Sequence, residues 1–354
     1  MKGAASSLAL SLALNTSFRL HWHRNSRLED YFDLEPLVLK DIGQGERLNL
    51  NNQRNNLLKY SKNLTSLTSN LKIHTNTIDG VQGILENPIF TNGNLPKIFP
   101  DFDIENDQSP FVASILRFVI GQPNAQLSRL YEECIESHLG DGNLLKVGMQ
   151  IRNGDFGIVR FKEDKFDEFE AKILEDFPTE ADREKVVVFV TGDSNDKFQS
   201  LIGKLRVNFQ VVTSGETCQQ LHFTHIGTHS GQWISEAKAY LDWYVLTRMD
   251  RLYISRSGFG ETAALISMVP TQHFTCKSGE WKFQTFPILH PFEEVSTDNC
   301  WNQVSTSLST TVYMPIHLET TLGHHPIRRS NTSLHILDNL TTGTIHAPHE
   351  MNAQ

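Results

Sequence analysis

Arg152 stands at the end of an apolar run and directly before a turn, in Leu144-Leu-Lys-Val-Gly-Met-Gln-Ile-Arg-Asn-Gly-Asp155. Val147, Met149 and Ile151 alternate as a buried strand requires, and Asn153-Gly154 signals a tight turn, so the guanidinium is set at a strand end. There it can grip a phosphate through two parallel hydrogen bonds, a geometry lysine does not offer, or it can pair with a surface carboxylate. Three more polar endings have the same character: Thr191-Gly-Asp193-Ser194, Thr213-Ser-Gly-Glu216 and Ser255-Arg-Ser257-Gly258-Phe259-Gly260. Glycine and serine also serve simply as turn formers, but four such endings, one with a forked cation, point to a phosphate-binding rim. Ser257 and its glycines open a helix expected over 259–268, whose free amides and dipole favour an anion.

The elements that must position these residues alternate. After the strand at 144–151 the pattern predicts a helix over 165–176, a strand over 186–190, a helix over 195–205 and a strand over 209–212. A helix over 233–247 follows, with Trp233, Ala237, Tyr240, Leu241, Tyr244 and Val245 on one stripe, then strands at 251–255 and 273–275 around the helix at 259–268. Such βα alternation predicts an α/β fold with a doubly wound, mostly parallel sheet, in which ligands lie beyond the carboxyl ends of the strands. The polar endings fall there.

On these residues a family resemblance appears. Gln150-Ile-Arg152-Asn-Gly-Asp155, followed by Leu241-Asp242-Trp-Tyr-Val-Leu-Thr-Arg-Met-Asp250 and Ser255-Arg-Ser257-Gly258-Phe259-Gly260, resembles the nucleotide-sugar half of the GT-B fucosyltransferases that use GDP-fucose, a superfamily with α1,2-, α1,6- and protein O-fucosyltransferase branches. The resemblance spans residues 144–275 and is patchy outside. It implies two Rossmann-like domains, GDP-fucose as donor substrate, a glycan or glycoprotein acceptor, no metal and no other cofactor. Arg152 matches the arginine that holds the diphosphate, and Asp242 the aspartate that accepts from guanine N1 and its 2-amino group. Ser257, Gly258, Phe259 and Gly260 match the turn that meets the phosphates, and Thr191, Asp193 and Ser194 the loop lining the nucleotide cleft. The family's leading histidine is Gln150 here and its second arginine is Asn153, which removes one cation from the diphosphate site. The implied chemistry is inverting transfer: an acceptor hydroxyl attacks the anomeric carbon while Arg152 meets the charge growing on the β-phosphate, a contact worth ~3–4 kcal/mol of barrier if it matches an oxyanion-hole donor. Asp155 is the general base chosen on position, with Glu163, His225 and the departing phosphate as alternatives. A non-catalytic nucleotide- or carbohydrate-binding relative is the alternative function.

The amino-terminal segment Met1–Leu14 has a positive residue, an apolar stretch and small residues, as a secretory signal does. The resemblance implies instead a helix followed by a strand at 18–22 and a further helix at 27–32, with the chain starting one strand late and without the family's first strand, glycine loop and upstream membrane anchor. Boundaries are expected at 1–143 for the acceptor-side domain, 144–317 for the GDP-sugar domain and 318–354 for a flexible tail rich in Thr, His, Asn and Ser. Within the first domain, residues 48–76 form an Asn-rich insertion, and helices are expected over 111–120 and 125–138.

Composition bounds the rest. The 354 residues, 39% hydrophobic and 21% charged, suffice for two domains of ordinary size. A net charge of −9 without a lysine-rich segment excludes a broad nucleic-acid surface, so a phosphorylated donor needs local cations. No stretch reaches the ~18–20 apolar residues of a spanning helix. Four cysteines allow three pairings; Cys276 and Cys300 flank a loop that a disulfide can close, while Cys134 and Cys218 stand alone. Sequons at Asn15, Asn63, Asn331 and Asn339 agree with a Golgi or ER-lumenal location. Two motifs point elsewhere: Asp101-Phe-Asp103 has the spacing of a divalent-cation triplet, and His222, His225 and His229 that of a zinc site and a metal-dependent hydrolase.

Overall fold

The computed structural model describes residues 8, 20–22, 30–33, 46–49, 71–74, 109–120, 122–140, 142–152, 163–192, 199–218, 233–277, 280–286 and 318–322. The chain divides into two α/β units, one of residues 1–21, 37–119 and 317–354, the other of residues 22–36 and 120–316. The cut expected near residue 143 does not coincide with this division, because the segment after residue 120 groups with the carboxyl-terminal sheet.

The first unit holds a four-stranded sheet in the order β1 (Leu20–Trp22), β12 (Leu318–Leu322), β4 (Leu71–His74), β3 (Glu46–Asn49). Strands β3 and β4 run parallel and β12 runs antiparallel to β4. Residues 318–322 are thus a strand where composition suggested the start of a tail; Leu318 and Leu322 supply apolar ends that Thr and Glu between them masked. Of the segment 1–14 only Leu8 is described, and it is helical and buried. In the second unit the helix expected at 27–32 is not formed at its end: Phe32–Asp33 is strand β2, paired antiparallel with β5 (Gln122–Pro123). Helix α1 spans Ser109–Ile120.

The second unit is built on a six-stranded sheet in the order β11-β10-β9-β6-β7-β8. Its strands are β6 (Leu145–Ile151), β7 (Val186–Gly192), β8 (Gln210–Val212), β9 (Arg251–Ser255), β10 (Thr271–Lys277) and β11 (Glu280–Thr285). From β8 to β10 neighbours are parallel, and β11 alone runs antiparallel at the edge. Chain order therefore runs outward from β6 in one direction through β7 and β8, then returns to β9 on its other side and continues outward. The reversal lies between β6 and β9, and in such sheets a crevice opens there at the carboxyl ends.

Both faces of β6 are covered, as parallel strands require. On one face Val147, Met149 and Ile151 join Phe169 and Ile173 of α3 (Asp167–Asp176) and Leu201, Ile202 and Leu205 of α5 (Gln199–Arg206) in one core. On the other face a Cβ at Gly148 would lie 2.7 Å from side-chain atoms of Leu252 and Met249 and 2.9 Å from Leu246, so the absent side chain lets the helix end descend onto the strand. That helix, α7 (Trp233–Leu246), is buried through most of its described length; Tyr240 stacks on Tyr31 at 4.0 Å and Trp243 meets the Phe32 ring edge-on. The edge strand β11 was not expected, although its alternation of Trp281 and Phe283 with polar residues is a strand signal. Phe283 packs at 4.9 Å from Phe169, and Trp281 stacks on Phe274.

Helix α2 (Ala125–Cys134) starts on Asn124, whose side chain accepts from the amides of Gln126 and Leu127. The short helix α4 (Glu180–Arg183) precedes β7, and α6 (Ser214–Thr217) follows β8. Cys134 and Cys218 form a disulfide joining the end of α2 to the end of α6, and Cys276 is disulfide-bonded as well. The two cysteines that spacing left alone are a pair: the topology returns the chain after β8 to the end of α2, a juxtaposition across 84 residues that spacing does not disclose.

Candidate functional site

At the β6/β9 reversal two of the polar endings, those of β6 and β9, come together. The amide of Arg152 donates to Ser255 Oγ at 2.6 Å, tying the end of β6 to the end of β9. Arg152 itself is half-buried. Gln150 lies on the opposite face of β6 from Val147, Met149 and Ile151, is buried, and accepts through Oε1 from the Ser257 hydroxyl at 3.0 Å. Ser257 in turn is the N-cap of α8 (Gly258–Ser267), where its Oγ accepts from the Gly260 amide at 3.1 Å. One hydroxyl therefore both closes a helix end and fixes a neighbouring strand.

Gly260 makes this approach possible. A Cβ there would lie 2.6 Å from Gln150 Oε1 and 3.0 Å from Ile254 Cβ, so the first turn of α8 touches the sheet only because the residue is glycine. With the third amide capped, those of Gly258 and Phe259 are left without a protein partner among the described residues, Gly258 being exposed and Phe259 half-buried. Two N–H groups at the positive end of a ten-residue helix, beside the strand end that carries Arg152, are of the kind that favours an anion. The helix ends at Met268, which adopts the left-handed conformation at φ 55°.

A second polar cluster lies at the neighbouring end of β7. Thr191 is part of that strand rather than of the loop after it, is buried, and donates to Asp242 Oδ2 at 2.6 Å. Lys238, one turn before Asp242 on α7, donates to the same oxygen at 2.6 Å, and Ser214 donates to Oδ1. Both ion-pair side chains are 3–4% exposed. The sequence reading has Asp242 facing a base; here both its oxygens are occupied by internal donors, and it acts as the clamp that fixes Thr191, Ser214 and Lys238. The i,i+4 spacing of Lys238 and Asp242 on a helix was the available signal for this pair. In register, Thr191 lies beside Gln150, so the two clusters are adjacent across β6 and β7.

Above this clamp is a cavity of about 110 Å³ lined by Val190, Thr191, Gln199, Ile202, Thr213, Gly215, Glu216 and Lys238. Glu216 is bonded to Arg206 and accepts from Thr213 Oγ1 at 3.1 Å. The Arg206 hydrogen bond, chiefly, holds the Glu216 carboxyl below the ordinary range against the opposing effect of burial.

At the other end of the sheet Asp176 accepts from Tyr253 Oη at 2.6 Å, Lys172 at 3.0 Å and Arg251 at 3.1 Å. Burial pushes its carboxyl upward, but hydrogen bonds from Tyr253 and Lys172 and the charges of Lys172 and Arg251 outweigh it and hold it low. Burial, and then the bond to Asp176, pushes the Tyr253 hydroxyl well up. This cluster lies at the amino ends of the strands, away from the crevice, and serves the fold.

Asp155, Asp193 and Ser194 lie outside the described residues, as do Asp101, Asp103, His222, His225 and His229. Among the described residues no group of three or more His, Cys, Asp or Glu side chains is placed to hold a metal ion. No helix among them is long and apolar enough to cross a membrane.

No protein-family model matches the chain, and no curated protein matches it in sequence. Solved structures do. A mutant of Arabidopsis thaliana FUT1 in complex with GDP aligns at a TM-score of 0.53 with 17% identity, covering 77% of this chain and 66% of that one. NodZ alpha-1,6-fucosyltransferase soaked with GDP-fucose aligns at 0.32 with 18% identity over 49% of this chain and 53% of that one. POFUT1 in complex with GDP aligns at 0.32 with 13% identity over 47% and 50%. The chain thus spans a little under two thirds of the FUT1 structure's length, and the likeness is one of fold: two α/β units, the carboxyl-terminal one with a doubly wound, mostly parallel sheet as in GT-B proteins.

Proposed function

We propose that this protein is an inverting, metal-independent fucosyltransferase that moves fucose from GDP-fucose to a hydroxyl of a glycan or glycoprotein. The observation that carries this reading is the meeting, at the β6/β9 reversal, of the strand end that bears Arg152, tied through its backbone amide to Ser255 Oγ, with the start of α8, where the amides of Gly258 and Phe259 have no protein partner among the described residues. A diphosphate needs such a set, and this chain, with a net charge of −9, supplies it locally. The fold shared with a structure that binds GDP supports the same reading.

In the proposed reaction the acceptor oxygen forms a bond to the anomeric carbon as the bond from that carbon to the β-phosphate oxygen breaks. Negative charge grows on the leaving GDP, where Arg152 and the two amides stabilise it more strongly than in the ground state. Gln150 and Ser257 hold the helix start in place through their hydrogen bond rather than by touching phosphate. Thr191 lines the base-side cavity, and Asp193 and Ser194, two and three residues later in the sequence, are the further nucleotide contacts of this reading. Asp155 takes the acceptor proton. We also propose a Golgi or ER-lumenal location, supported by the Cys134–Cys218 disulfide, since such bonds persist in oxidising compartments.

The test is transfer from GDP-fucose to glycan acceptors by the full chain and by Arg152→Ala and Arg152→Lys. Loss of one transition-state donor lowers kcat by roughly 10²–10³-fold, and both variants are expected to show it. Normal turnover by the lysine variant would contradict a forked phosphate grip. Wild-type protein that binds GDP but neither transfers nor hydrolyses the donor is instead a non-catalytic relative, a reading to which Asn153, in place of a second cation, lends weight.

A further inference from the structure

Two carboxylates lie near the cavity at the ends of β7 and β8, and they are not equivalent. Asp242 is sealed beneath it, with Oδ2 taken by Thr191 and Lys238 and Oδ1 by Ser214. Glu216 lines the cavity itself, and its two donors, Arg206 and Thr213, both fall on Oε2. Oε1 has no hydrogen-bond partner among the described residues. The result is an ionised carboxylate anchored by one oxygen and open on the other, a pre-oriented acceptor.

The rest of the lining says what such an acceptor would meet. Val190 and Ile202 give apolar walls for a flat ring, and the Lys238 ammonium, held by Asp242, gives a donor on the wall of the same cavity. A ring that presents N–H donors next to a carbonyl oxygen satisfies both: its donors go to the carboxylate and its carbonyl to the ammonium. Guanine has that edge, with N1–H and the 2-amino group beside O6, whereas adenine presents an unprotonated N1 and an amino group and leaves both protein groups mismatched.

We propose that Glu216, rather than Asp242, is the carboxylate that reads the donor edge of guanine, with Lys238 facing its carbonyl. This rests on the GDP-fucose reading above. Asp242 is then a positioning residue that holds Lys238 and Thr191 on the cavity wall.

Calorimetry of the full chain with GDP, inosine diphosphate and ADP tests it. Wild-type protein is expected to prefer GDP to ADP, and Glu216→Gln to lower that preference by about 10- to 100-fold, the worth of one hydrogen bond to a charged acceptor. Inosine diphosphate, which lacks only the 2-amino group, is expected to bind wild type more weakly than GDP and the variant with the two nearly equal. The Glu216 side chain is 48% exposed, so the substitution leaves the fold in place, which an unchanged thermal transition verifies. Arg206→Gln, which removes the anchor and keeps the carboxylate, is expected to weaken selectivity less. An unchanged GDP-to-ADP ratio in Glu216→Gln overturns the assignment while leaving GDP binding standing. A wild-type protein that binds GDP without base preference overturns it too, and one that binds no GDP overturns this inference and the donor reading together.

Discussion

Alanine at Gly260 and alanine at Gly203 should shift stability in opposite directions. Both glycines are helical, Gly260 in α8 and Gly203 in α5. Around Gly203 an added Cβ meets nothing within 4 Å and the residue is exposed, so the substitution gains the propensity difference, about 0.8–1 kcal/mol. At Gly260 the methyl would sit 2.6 Å from Gln150 Oε1 and 3.0 Å from Ile254 Cβ. Ile254 Cβ is fixed by the strand, and Gln150 is buried and bonded to Ser257, so relief requires breaking that bond or lifting α8. Overpacking of this kind costs about 1–3 kcal/mol, which offsets the propensity gain and leaves a net loss of up to roughly 2 kcal/mol. Guanidinium denaturation followed by tryptophan emission reads both variants, since Trp243 joins α7 to α8 through Thr262 Oγ1 at 3.1 Å. The midpoint should rise for Gly203→Ala and fall for Gly260→Ala, with slopes unchanged. GDP affinity should fall only for Gly260→Ala, because the displaced turn carries the amides of Gly258 and Phe259. A Gly260→Ala protein as stable as Gly203→Ala would refute the claim that helix and strand touch at this residue.

Asp176→Asn should weaken the fold by about 1–3 kcal/mol at neutral pH, the range for a buried charged hydrogen-bond acceptor. Because the folded-state pKa of Asp176 is depressed, its contribution is complete above the unfolded value near 3.9 and is lost as pH falls through the folded value, so the gap between wild type and variant should close in acid below about pH 4. A gap that stays constant from pH 7 to pH 2 would show that its charge plays no part. Lys238→Met leaves the buried Asp242 charge with only hydroxyl donors and should cost about 3–5 kcal/mol. Adding Asp242→Asn, which keeps the contacts with Thr191 and Ser214 but removes the charge, should recover a large part of that loss; strict additivity in the double-mutant cycle would rule out the pair as a coupled unit.

Most of the carboxyl-terminal unit was legible in the sequence because its strands are short β-branched apolar runs ending in Gly or Ser turns and its helices are longer, so run length and flanking residues distinguish the two. The helix expected at 233–247 is observed at Trp233–Leu246, and the strand at 251–255 as expected. Edge elements were not legible: β11 has only two large apolar residues, and β12 is a Leu-Glu-Thr-Thr-Leu segment that pairs with a strand some 250 positions earlier. Residue types at the strand ends showed where polar groups gather, but not which side chains spend their hydrogen bonds on one another. Asp242 reads as an available carboxylate until Lys238, Thr191 and Ser214, brought together from α7, β7 and α6, are seen to occupy it. Glu216 stood in one of the four polar endings without a role of its own, because its open oxygen is a property of where Arg206 and Thr213 bind it. The Cys134–Cys218 pairing was hidden for the same reason: partners far apart in sequence meet only through the topology.

The most direct measurement is a crystal structure of the protein with GDP bound. The diphosphate is expected in the crevice between the ends of β6 and β9, with the Arg152 guanidinium and the amides of Gly258 and Phe259 on its oxygens. Density for the diphosphate elsewhere on the molecule, or with Arg152 turned away from it, would contradict the proposed donor site.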